Sequence, residues 1–245
     1  MPKYFCIIFL ISNFSFSQST VGEAVYGIKQ TTSFFDEQTK KDKADIAGYL
    51  DMIDESIQTN FPKFSFVLKF NESEAFFEMR RGIVNSEDLK VKMAYILAQG
   101  DDKFYYNKTS DSVVMQTEVY GAKFRVLTKI SDIEWKISNE RKQIDEFLCY
   151  KATASFVTVN DAGTFNKNVV AWFAPGLPIS FGPKGYSGLP GLILELQDDK
   201  TIYFLTHLNI SKSTEKSTIE KLPKGKIVTK EQLDNLAFEN ANFRN

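Results

Sequence analysis

Apolar and polar residues alternate with a period of two along most of this chain, and that pattern constrains the fold more than any other feature. The alternating runs fall at 24–33, 63–70, 74–81, 103–107, 112–117, 123–127, 135–137, 147–157, 169–173, 192–197 and 202–210. Aromatic and β-branched residues fill them, drawn from 22 Phe and 10 Tyr. A period of two places successive side chains on opposite faces, which is the signature of strands with one buried side. So many short runs predict a mainly β protein with minor α, built on a single large antiparallel sheet. In 192–197 the alternation assigns Leu192, Leu194 and Leu196 to one face and Ile193, Glu195 and Gln197 to the other. In 202–210 it places Ile202, Phe204, Thr206 and Leu208 together, with His207 opposite them beside Tyr203, Leu205 and Asn209.

Two segments depart from this period. Ile46, Leu50, Ile53 and Ile57 line one face of an amphipathic helix over 41–59, stopped by Asn60-Phe61-Pro62. Leu233, Leu236 and Phe238 predict a short C-terminal helix over 230–240, with Thr229 as its cap. Nothing between these elements reads as a linker, so residues 18–245 are expected to form one domain. Residues 1–17 read as a secretory signal peptide: Lys3, an apolar run from Tyr4 to Ile11, and a small-residue stop at Ser15-Phe16-Ser17. The apolar run is too short and too interrupted for a stable membrane span. The expected location is periplasmic or secreted.

Composition then removes several functions. Lys and Arg number 30 against 31 Asp and Glu, so the basic footprint of a nucleic-acid binder is missing. Loss of the leader removes Lys3 and no acid, moving the net charge from −1 to −2. It also removes Cys6, leaving Cys149 alone in an oxidising compartment with no partner for an intramolecular disulfide. Cys149 lies in an apolar run and is expected to be a buried, inert thiol. One His and two Cys cannot build a zinc site of several His and Cys ligands. No metal or cofactor is expected.

The least generic chemistry lies between Ala171 and Leu196. Residues 182–191 hold four Gly and two Pro, which predicts an ordered irregular loop between two strands. It lacks the Gly-Lys-Ser/Thr ending of a phosphate cradle and leads into a strand. Two readings stay open: a tight multiple turn packed under aromatic side chains, or the preformed rim of a binding surface.

Within this segment Gly188-Leu189-Pro190-Gly191-Leu192-Ile193 resembles the signature of the GLPGLI family, exported proteins of Gram-negative bacteria. The likeness extends to Trp135-Lys136-Ile137, Glu140, Lys142, Ile144, Cys149, Lys151-Ala152, Ala171-Trp172, Pro178-Ile179, Gly182-Pro183 and Leu194. It departs where family members often carry a Gly-Arg pair and this chain has Asn166-Lys167. The resemblance implies an exported β protein of unassigned function, with an architecture similar to the half-barrel carriers and sensors of the periplasm. It carries over no catalytic residue. A sheet curled in that way offers a concave apolar face to a hydrophobic ligand.

The candidate binding residues are therefore those of the loop rim: Tyr186, Gly188, Leu189, Pro190, Gly191, Phe181, Trp172 and Glu195. Trp172 is expected in the core and Tyr186 as the more exposed contact. Glu195 is either an outward solvated residue or an acid held by Lys151 or Lys184. The expected function is non-enzymatic binding of an apolar small molecule or a cell-envelope protein, in a setting such as an outer-membrane transport assembly. The alternative is a carboxylate-dependent periplasmic hydrolase, which requires two carboxyl groups facing one cleft. His207, the sole His, sits mid-strand without a nucleophile signature and is a poor triad member.

Overall fold

The computed structural model describes residues 19–80, 88–119, 121–160, 163–213 and 217–242. The signal-peptide expectation for residues 1–17 lies outside them. Twelve strands form one sheet. In chain order these are β1 (Ser19–Gln30), β2 (Ser65–Phe70), β3 (Glu74–Met79), β4 (Lys103–Asn107), β5 (Ser112–Val119), β6 (Ala122–Thr128), β7 (Lys136–Ile144), β8 (Phe147–Asn160), β9 (Gly163–Ala174), β10 (Leu192–Asp198), β11 (Thr201–Ser213) and β12 (Lys226–Val228). Across the sheet the order is β12-β6-β5-β4-β3-β2-β1-β11-β10-β9-β8-β7, and every pair is antiparallel except β12 with β6. The expectation of a large antiparallel sheet holds, with one parallel edge strand added.

Connectivity forces this sheet to curl. β6 and β7 are consecutive in the chain but ten strand intervals apart, a distance of about 48 Å if the sheet were flat. From Thr128 to Lys136 the chain can span at most about 29 Å. The two limbs must therefore bend toward each other, giving a half-barrel that is not closed. Its concave, inner face carries Tyr26, Phe66, Phe77, Tyr106 and Tyr203, all at most 1% exposed. The Phe66 and Phe77 rings stack at 5.4 Å, and Tyr203 meets Phe66 edge-on at 5.1 Å.

Two β-bulges change the facing of side chains. In β10, Ile193 pairs with Phe173 and Glu195 with Trp172, so Leu194 is an extra residue. Ile193 consequently joins Leu196 on the inner side, which corrects the simple alternation. In β11, Val25 pairs with His207 and Tyr26 with Leu205, so Thr206 is bulged. His207 therefore shares the outer face with Phe204, and Leu208 turns inward, the reverse of the expected assignment. A single extra residue is enough, because side-chain facing has a period of two.

The predicted N-terminal helix is divided. Asp36 caps α1 (Glu37–Asp42) by accepting from the Thr39 N–H, Lys43 leaves helical geometry, and a short 3₁₀ turn precedes α2 (Ala47–Asn60). Leu50 and Ile57 are buried as the pattern requires, whereas Ile46 precedes α2 and is exposed. A third helix, α3 (Leu89–Leu97), packs beside α2 and contributes Ala94 to the same core as Ile57 and Phe61. Its start, Leu-Lys-Val-Lys-Met, alternates like a strand, which hides it from pattern reading. The C-terminal helix, α4 (Lys230–Asn242), packs Leu233 against Phe124, Val126 and Val228 and also reaches β8.

Candidate functional site

Between β9 and β10, residues 175–191 fold back over the concave face. Leu177 donates to the Ala174 carbonyl, and a bridge joins Phe181 to Ser187. A 3₁₀ turn at Pro183–Gly185 forms the tip, where Tyr186 donates to Pro183 and Gly188 to Ser180. Two glycines show why the segment is spelled as it is. Gly188 sits at φ +91°, a left-handed conformation. At Gly191 a β-carbon would lie 2.2 Å from the Ala174 carbonyl oxygen, so no other residue fits.

The sheet holds this loop by side chains reaching across the interior. The Tyr106 hydroxyl donates to the Gly182 carbonyl at 2.6 Å and accepts from the Gly185 N–H at 2.7 Å. Tyr26 donates to the Ile193 carbonyl at 2.7 Å, and the Trp135 indole N–H to the Ser187 carbonyl at 2.8 Å. Complete burial pushes the Tyr106 and Tyr26 hydroxyls well above the usual phenol range, so both remain neutral donors. Phe181 meets the Tyr106 ring at 5.6 Å, and Leu189 is 1% exposed.

Charge completes the attachment. Asp198, at the end of β10, has a side chain 4% exposed and ion-paired with Lys167 at 2.5 Å and Lys184 at 3.3 Å. Burial raises its pKa more than any other single influence. Lys184 and Lys167 together reverse this and hold the carboxyl below its ordinary value. Lys184 occupies the loop tip at φ +54°, with its ammonium 5.7 Å from the Tyr203 ring centre. Asp102 interacts with the same lysine, and there burial prevails and raises the carboxyl. Two carboxyl groups thus flank Lys184. Asp198, however, is shut away from solvent and engaged by two ammonium groups, which is the geometry of a latch on the loop tip.

The candidate residues separate onto the two faces. Phe181, Tyr186 and Leu189 point into the interior, and Gly191 is buried behind them. Gly188 and Pro190 remain exposed. Tyr186 is 8% exposed, contrary to its expected role as a surface contact, because Trp135 and Phe156 pack on its ring. Trp172 is half-buried on the outer face, not in the core, with the Lys142 ammonium 4.5 Å from its ring centre. Glu195 lies beside it and pairs with Lys142 at 2.7 Å. The expected partners are committed elsewhere, Lys151 to Glu140 and Lys184 to Asp198. These residues do not form one rim.

Sequence reading missed Tyr26 and Tyr106, which reach the loop from strands far away in the chain, and Lys167 and Asp198, on the two strands that flank it. Trp135 alone carried a signal, since it stands in the spaced pattern around the hexapeptide. Among the described residues, no three His, Cys, Asp or Glu side chains converge as a metal site. None of the described helices is long and apolar enough to cross a membrane.

Residues 160–195 match a family model described as "Protein of unknown function (Porph_ging)". No curated protein matches the chain. Two solved structures are similar in outline, "Structure of PNGF-II in C2 space group" and "Structure of PNGF-II in P21 space group", with TM-scores of 0.48 and 0.46 at 12% and 13% identity. Each likeness covers 90% of this chain, which spans about a third of the length of those proteins, 32% and 33% respectively. The stretch that resembles a known family is the loop on the concave face together with the two strands that carry it.

Proposed function

We propose that this chain is an exported, non-catalytic β module of the GLPGLI type that works by docking to another protein of the cell envelope. The observation that carries this reading is the filled concave face. The space where a half-barrel carrier would hold an apolar ligand is taken by the chain's own Phe181, Tyr186 and Leu189. Large apolar side chains are left in solvent on the helices, with Leu89 59% and Ile96 70% exposed on α3 and Tyr49 51% exposed on α2, and on strands, with Val157 68% exposed on β8 and Ile227 63% on β12. Leu89, Met93 and Ile96 recur at helical spacing on one face of α3, the pattern of a surface that meets a partner.

Native mass spectrometry of the mature chain, purified gently from an envelope extract and compared with the denatured chain, tests the reading. The expected spectrum shows no small-molecule adduct on the chain. It also shows a complex of defined mass that a Leu89→Glu, Ile96→Glu double variant no longer forms. An adduct that leaves on denaturation and proves to be a lipid would overturn the reading and restore the carrier.

A further inference from the structure

A second apolar surface, separate from the α3 face, lies on the outer side of the sheet. Phe76 of β3, Tyr105 of β4, Val114 of β5 and Leu127 of β6 are direct cross-strand neighbours, so they form one row at right angles to the strands. An irregular strap, residues 217–225, covers most of that row. Ile219, 5% exposed, packs among Phe76, Tyr105 and Val114 with Leu222 beside them, and Leu127 is left 51% exposed at the end of the row. This cluster is distinct from the main core.

Topology decides how the strap is laid down. From β11 to β12 is seven strand intervals, about 34 Å. Thirteen residue steps separate Ser213 from Lys226, and a helix of that length would reach only about 20 Å, so the strap is extended. Its apolar residues are three apart, the period of a polyproline II helix, and Pro223 follows Leu222. At about 3.1 Å per residue, Ile219 and Leu222 stand about 9 Å apart, close to two strand intervals along the row. Among the described residues, 217–224 make no backbone–backbone hydrogen bond, and one side-chain bond holds them, from Asn71 Nδ2 to the Ser217 carbonyl at 3.0 Å. The strap is thus seated as a bound peptide is, by two apolar anchors on an aromatic surface. We propose that the row is a docking site for an extended segment of another protein with two apolar side chains three residues apart, and that the strap is its resident occupant, which such a segment displaces.

The probe is a fluorescein-labelled copy of residues 217–225, Ser-Thr-Ile-Glu-Lys-Leu-Pro-Lys-Gly, added to the full chain carrying Ile219→Ser and Leu222→Ser and followed by fluorescence anisotropy. With an effective concentration of about 1 mM for the tethered strap, seating in about nine-tenths of molecules or more implies a Kd of about 0.1 mM or tighter for the free peptide. The double variant should bind it saturably in that range, and the unaltered chain at least about tenfold more weakly, because its own strap competes. A peptide with Ser at both apolar positions should bind neither. Leu222→Ser alone, at the half-buried anchor, should also bind the peptide more tightly than the unaltered chain does, and serves if the double variant fails to fold. Absence of saturable binding by either variant up to about 1 mM, equal affinity for the unaltered chain, or equal binding of the Ser peptide would each overturn the proposal.

Discussion

Tyr106→Phe removes one oxygen atom and isolates the attachment of the loop. The hydroxyl satisfies the Gly182 carbonyl and the Gly185 N–H, at 2.6 and 2.7 Å, in the interior of the half-barrel. Without it both groups remain buried and unpaired, at about 1–3 kcal/mol each. Gly185 is only half-buried and water relieves part of its share, so a total of about 2–4 kcal/mol is expected. With a urea m-value of about 3 kcal/mol/M, the unfolding midpoint should fall by about 0.7–1.3 M at unchanged m. Tyr49→Phe, at a half-exposed ring on α2, is the control and should shift stability by no more than about 0.5 kcal/mol. If the two variants unfold at the same urea concentration, the hydroxyl does not hold the loop and the argument fails.

Asp198→Asn removes the shared carboxylate of the half-buried Lys184 and of Lys167, leaving Lys184 only Asp102, and should destabilise the fold by about 2–3 kcal/mol at neutral pH in chemical denaturation. Because the folded carboxyl is held below its unfolded value, its stabilisation is complete above about pH 4 and is lost as pH falls through the folded value. The acid-side slope of stability against pH should therefore be shallower in the variant. Gly191→Ala places a methyl group 2.2 Å from the Ala174 carbonyl and should yield little soluble folded protein, whereas Gly48→Ala meets no atom within 4 Å and should express normally. Burial pushes the Cys149 thiol up to about 11, so it should resist a thiol reagent at pH 8 until the protein is unfolded. Rapid labelling of the native protein would contradict its burial.

The sheet was legible because its information is local. Each run of alternating Phe, Tyr, Val and polar residues marks a strand by itself, and β4 begins and ends where the pattern says. Facing was legible only between bulges, since Leu194 and Thr206 each shift the period by one residue without any composition signal. β12 has three residues and pairs in parallel, too short a run to alternate visibly. The Gly-Pro loop was legible as an ordered turn, and its packing under aromatic side chains was one of the two readings left open. What could not be read was its anchorage: Tyr26 and Tyr106 are brought to it by strand order, which depends on long-range pairing, and Asp198 at the far end of the flanking strand meets Lys184 only because the loop folds back over the sheet. Tyr186 was misplaced for the same reason: flanking Gly and Ser suggest exposure, while the rings that cover it come from 135 and 156.

The central claim is that residues 175–191 are a fixed part of the interior. Hydrogen exchange of individual amides tests it most directly. The N–H groups of Gly185, Gly188, Leu192 and Ile193 each have a hydrogen-bonded acceptor within the loop or its tyrosine anchor. They should therefore exchange only with opening free energies close to that of global unfolding. Exchange of the loop amides at rates typical of an exposed turn, while those of β1 and β2 stay protected, would contradict the account and show a concave face open to a ligand.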